Sequence, residues 1–126
     1  RARYIPDYAS ARKRRVSCMI ETFFKLCIGH AVADFWAQSA EMRQGKGWTN
    51  KVRSDPGAVL VWPYALTAHA AIHAGAVWLI TGNCWIALAE FICHWCIDYG
   101  KCSHLYSTHV DQGMHIGCKV VWSVIA

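Results

Sequence analysis

From Pro56 to Ala89 the chain carries no Asp, Glu, Lys or Arg. A charge-free run needs only ~20 residues to cross a bilayer, and a soluble domain of this size is expected to interrupt it with charge. The chain has 126 residues, of which 55% are hydrophobic and 17% charged, against roughly 25% charged in average soluble domains. That length predicts one domain, and the abundance of Trp, Val, Ile and Leu excludes a disordered tail. The class that follows is a small integral membrane protein with the lipid bilayer as its main partner. Mean hydropathy is only +0.17, because polar segments at 1–15 and 39–56 dilute the apolar ones.

Net charge is +5, and it is unevenly placed. Arg1, Arg3, Arg12, Lys13, Arg14 and Arg15 form a basic N-terminal arm over residues 1–15. Such a cluster ahead of apolar helices marks a cytoplasmic flank. In that orientation Arg43, Lys46, Lys51 and Arg53 of the first loop fall on the opposite side, so the topology signal is mixed. The arm lacks the interleaved aromatics or groove-reading helix of a nucleic-acid binder, and nucleic acid is not the expected partner. No small-residue cleavage site follows a basic start and an apolar core, so no signal peptide is expected. The chain opens on Arg1 and stops inside an apolar run at Ala126, and residues are expected beyond both ends.

Residues 16–126 read as a helical membrane domain of four antiparallel helices. A first helix over 16–38 carries Glu21, Lys25, His30 and Asp34, which would let it lie partly in the interface. Asp55-Pro56-Gly57 is turn punctuation. Residues 58–80 give the clearest membrane helix, with Pro63 in its first turns where proline costs least. Thr81-Gly82-Asn83 makes a short turn to an antiparallel third helix over 84–100. A polar loop spans 101–109, and a fourth helix starts near Val110. The expected fold is thus an all-α, up-and-down bundle in a membrane.

Seven cysteines are an odd number, so they cannot all pair internally. Most sit in apolar segments as small hydrophobes. The alternative, a zinc site from Cys93, Cys96, Cys102 and His104, rests on a single CxxC and is a weak signal.

Each helix carries one pair of ligand-type residues four apart: His30 and Asp34, His69 and His73, His94 and Asp98, Asp111 and His115. This spacing puts both side chains on one helix face. In an up-and-down bundle all eight can meet between the bundle centre and the side bearing the first and third loops. Ionisable groups at membrane depth cost several kcal/mol each unless paired or metal-bound, and a divalent cation neutralises three Asp directly. Mixed imidazole and carboxylate ligands suit Zn, Mn or Fe, and eight of them suffice for one or two ions. Any one pair alone is more simply a satisfied polar contact. Alternatives for the whole set are a proton or ion pathway and bis-His haem ligation. Gln38 and Glu90 extend two of the faces by a further step of four, Gln38 to position substrate or water and Glu90 to act on protons. Lys101, three after Asp98, either pairs with it or marks the membrane boundary. His104 and His109 are expected to be solvated in their loop.

The run His30-Ala31-Val32-Ala33-Asp34-Phe35-Trp36-Ala37-Gln38 resembles the HxxxDFxxQ opening of the DUF3307 family. His69 to His73 resembles its HxxxH segment, His94 to Lys101 its HxxxDxxK, and Asp111 to His115 its DQxxH. The likeness covers roughly residues 22–126 and leaves out the basic arm. It implies a multi-helix membrane protein of bacteria or their phages, in the inner membrane, with one shared polar site. It supplies no activity, and Glu90 is not part of its pattern. The function expected is therefore a membrane-embedded metal-binding protein acting as a metal-dependent hydrolase. The alternatives are a non-catalytic subunit of a larger membrane assembly, with a structural metal or a polar clamp, and a haem-binding or proton-conducting protein.

Overall fold

The computed structural model describes residues 8–47 and 62–126. Arg1 and Arg3 of the arm, Lys51, Arg53, the Asp55-Pro56-Gly57 turn and residues 58–61 of the expected second helix lie outside the described residues. Among those described there are five helices and no strand: α1 Tyr8–Phe35, α2 Ala40–Gly45, α3 Trp62–Thr81, α4 Cys84–Cys102 and α5 Thr108–Ile125.

α1 begins well before the apolar pattern and takes in Arg12, Lys13, Arg14 and Arg15, all exposed. Arg and Lys are good helix formers, so nothing in the basic stretch stops the helix from extending backward. At its other end α1 stops at Phe35, where the Trp36 and Ala37 N–H groups both donate to the Val32 carbonyl at 3.0 Å. Gln38 therefore stands past the helix, and its reach into the site does not come from helical spacing. The segment expected as a loop after it contains the short α2, capped by the Ser39 hydroxyl, which accepts from Met42 N–H at 3.1 Å.

Gly82 adopts φ +67°, a left-handed conformation that glycine enters without a Cβ clash. Asn83 then caps α4, its side-chain oxygen accepting from Trp85 N–H at 2.9 Å. The result is the expected tight, antiparallel α3–α4 hairpin. Trp95 Nε1–H donates to Thr67 Oγ1 at 3.3 Å across it. α1 packs on α3 and α5, and α4 on both α3 and α5, which closes a four-helix ring, with α2 lying against α3. At the α4–α5 corner the Tyr106 ring covers Gly100, and its hydroxyl donates to the Ile97 carbonyl. A Cβ on Gly100 would sit 2.6 Å from that hydroxyl oxygen. Burial, with Asp111 and Asp98 nearby, holds the Tyr106 phenol above its ordinary pKa.

The interior is layered. Leu26, Val77, Ile86 and Trp122 form an apolar cluster toward one end. Above it lies the layer of buried His, Asp and Glu side chains, and among the described residues ten polar or charged side chains are buried against eight apolar ones. The outside is the reverse, with Leu79 87% exposed, Phe35 85% and Phe24 66%. By length and composition α1 is, among the described residues, the one helix able to cross a membrane. The expected second span, 58–80, begins at residues outside those described. All seven cysteines are free.

Candidate metal centre

The four ligand pairs converge. Their spacing places each on the inward face of its helix, and seven of the eight residues are buried, Asp34 being half-buried. Five imidazoles pack into one layer. His73 and His94 stack with centroids 3.7 Å apart, His94 and His115 lie at 4.1 Å, His69 and His73 at 4.6 Å, and His30 and His73 at 4.9 Å.

Three groups of ligand atoms each fall within 4.8 Å of one another: Asp34 with His69, His73 and His94; His30 with His94 and His115; and Asp98 with Asp111 and His115. His94 belongs to two groups and His115 to two, so the groups form one continuous chain. Asp34 Oδ1 lies 3.2 Å from His73 Nε2 and 3.4 Å from His69 Nε2. Asp98 Oδ1 is 3.3 Å from His115 Nε2, and Asp98 Oδ2 is 3.4 Å from His69 Nε2. These separations are long for hydrogen bonds to a carboxylate, which usually fall at about 2.7–2.9 Å. They match the edge of a tetrahedron, ~3.4 Å, around an ion with ligands at about 2.1 Å. Three buried atoms, His69 Nε2, His94 Nε2 and Asp111 Oδ1, have no hydrogen-bond partner among the described residues. The donor set fits a divalent cation on all three counts.

Around these residues sits a second ring of contacts. Glu90 Oε1 accepts from His94 Nδ1–H at 3.3 Å, which fixes the tautomer and leaves Nε2 with its lone pair facing the cluster. Gln38 Nε2–H donates to His69 Nδ1 at 3.4 Å; with the amide turned over, its oxygen would accept from Nδ1–H and free His69 Nε2 for the cluster. The Gln112 amide N–H donates to Asp34 Oδ2 and to Asp111 Oδ2, each at 3.3 Å.

The family described as "Protein of unknown function (DUF3307)" matches over residues 22–126, a span that holds every residue of this cluster. The chain belongs to the DUF3307 family. No curated protein and no solved structure matches it. For this DUF3307 chain, then, the site itself has to carry the argument about function.

Every expected ligand is brought together: His30, Asp34, His69, His73, His94, Asp98, Asp111 and His115. Gln38 lines a cavity of about 460 Å³ at the end of the bundle formed by the C-terminal ends of α1 and α4 and the first turn of α5. That is the side bearing the first and third loops, as expected. Glu90 lies on the other side of the His layer. Both its oxygens are engaged, one by Lys119 and His94 and the other by Trp122 Nε1–H at 2.6 Å. Lys101 does not pair with Asp98. It donates to Thr108 Oγ1 at 2.6 Å and stands 3.9 Å from Asp111, because the next helical turn faces the start of α5. His104 is exposed and lines the cavity, while His109 is exposed outside it. No cysteine joins a ligand group among the described residues.

Two lysines escape the sequence reading. Lys119 is 1% exposed and ion-paired with Glu90. It lies four after His115 and eight after Asp111, so the spacing rule that finds the ligands reaches it too. Lys46 donates to Asp98 Oδ2 at 2.7 Å. It carries no sequence signal, since the contact spans 52 residues and depends on α2 folding over the bundle end.

Proposed function

We propose that this protein is a membrane-embedded hydrolase that holds one or two divalent cations in its His/Asp layer. The observation that carries the reading is the set of imidazole–carboxylate separations of 3.2–3.4 Å together with the orphaned nitrogens of His69 and His94. Membrane embedding is supported by the inverted distribution of polarity, with charge inside and large apolar side chains outside, because lipid rather than water is the solvent such a surface suits.

A divalent cation in such a site supplies Lewis acidity and lowers the pKa of bound water toward ~7. The chain's own residues do the rest. Glu90 turns His94 so that Nε2 faces the cluster, Gln38 holds the His69 ring through Nδ1, and Gln112 holds Asp34 and Asp111 together. Glu90 is thereby a positioning residue. Gln38 and Gln112 line the cavity above, where substrate and water enter. In the hydrolysis the water oxygen bonds to the electrophilic centre and the bond to the leaving oxygen breaks. One water proton passes into the imidazole–carboxylate layer, and the leaving oxygen takes one back.

Five closely packed imidazoles argue against haem, since a porphyrin would have to part rings that lie as near as 3.7 Å. A second reading has an observation of its own. Lys46 on Asp98 and Lys119 on Glu90 neutralise carboxylates without any metal, as in a structural polar clamp. Elemental analysis of protein purified in detergent separates the two. One or two equivalents of a transition metal are expected, falling to less than half in a His73→Ala, His94→Ala double variant. Metal-free protein that cannot be loaded by dialysis would leave the clamp.

A further inference from the structure

We infer that the cavity above the His/Asp layer binds the phosphoryl group of a phosphate ester, with Arg43 and Lys101 as its recognition residues. The inference rests on the metal-hydrolase reading and names its substrate class.

Charge balance carries the argument. The cavity is lined by three carboxylates, Asp34, Asp98 and Asp111, and by three cations, Arg43, Lys46 and Lys101. These cancel with no ion present. Each divalent cation in the layer below adds two positive charges, and a site walled by apolar helices does not tolerate that excess without a counter-anion. A phosphate monoester brings up to two negative charges and three acceptor oxygens. The cations come from different elements. Arg43 is on α2 and has no ion-pair partner among the described residues. Lys101 is in the last turn of α4, with Thr108 beside it in the first turn of α5. Arg presents a planar fork suited to bidentate phosphate binding, and the N-terminal turn of α5 adds partial positive charge. A carboxylate ester or an amide would leave Arg43 without an anionic partner among the described residues.

The cavity volume, about 460 Å³, exceeds what a phosphoryl group fills, and the exposed ring of Phe35 stands on its rim. The rest of the ester is therefore either a lipid reaching in from the bilayer or a water-soluble organic group.

The test uses the metal-loaded full chain in detergent, with metal content measured on every sample and radiolabelled inorganic phosphate as the probe. Equilibrium dialysis should show saturable phosphate binding that disappears on chelation. It should weaken at least tenfold in Arg43→Gln and in Lys101→Gln, with metal content unchanged, and recover in part in Arg43→Lys. Loaded protein that binds no phosphate, or binds it equally well in both Gln variants, overturns this proposal while leaving the metal site standing. A chain that takes up no metal overturns both. Displacement of the bound phosphate by phosphatidic acid in mixed micelles assigns a lipid ester, displacement by phenyl phosphate a soluble one, and displacement by neither overturns the ester reading.

Discussion

Lys119 shows most sharply how single residues hold this interior together. Its ammonium is fully enclosed against Glu90, whose other oxygen accepts from Trp122. Removing one partner of a buried pair strands the other as an uncompensated charge, at a cost of about 3–5 kcal/mol. Lys119→Met should lower unfolding stability by that amount. The double variant Glu90→Gln, Lys119→Met should recover most of it, because the amide oxygen introduced at position 90 still accepts from Trp122. Unfolding of both variants in detergent, followed by circular dichroism, checks this; equal losses in the single and double variants would count against it. The pair also marks the limit of residue-level reading. The i, i+4 rule finds the eight residues that converge because it needs only a helix and a face. Applied without regard to residue type, it reaches Lys119 as well, but a lysine in an apolar run reads first as a break in the pattern. Lys46 has no local signal at all.

The elements follow from short-range chemistry wherever that chemistry is strong. Asn83 after Gly82 sets the α3–α4 turn, and Ser107 caps α5 by accepting from Val110 N–H at 3.4 Å. Both boundaries are legible in the sequence. The start of α1 is not, since apolar periodicity says nothing about a solvated stretch of good helix formers. α2 is hidden in a polar segment where only its Ser39 cap hints at it. Glycine position gives a contrast that can be measured. Gly82→Ala puts a Cβ into the left-handed region and should cost about 1–2 kcal/mol. Gly75→Ala, inside α3 with no atom within 4 Å of the added Cβ, should be neutral or stabilising by up to about 1 kcal/mol. Thermal unfolding of the two variants side by side reads the difference, and equal destabilisation by both would contradict the assigned conformation of Gly82.

At the scale of the whole molecule, the described interior buries more polar and charged side chains than apolar ones. The apolar cluster is small, and the His/Asp layer occupies the centre. A ligand that binds only the folded state stabilises it by about 4 kcal/mol at a thousandfold excess over its dissociation constant. Chelation of the metal-loaded protein should therefore lower its melting temperature by roughly 10 °C or more, and re-addition of the metal should restore it. Differential scanning fluorimetry on the Trp signal measures this; an unchanged melting temperature in protein shown to have lost its metal would contradict it. The meeting of the four pairs is legible in the sequence because bundle geometry forces inward faces together. The cavity is not, because its cations come from α2, its C-cap and the end of α4, which are adjacent only once the ring has closed.

The Glu90–Lys119 pair bears on how the chain is made. Glu90 leaves the ribosome 29 residues ahead of the lysine that neutralises it, an interval of a few seconds at ordinary rates of synthesis. During that interval the α3–α4 hairpin holds an unpaired acid and three histidines with half their partners still unmade. α5 is the last element of the ring to emerge and the one that releases the hairpin from this state. A nascent chain arrested before Lys119 would keep its polar face open.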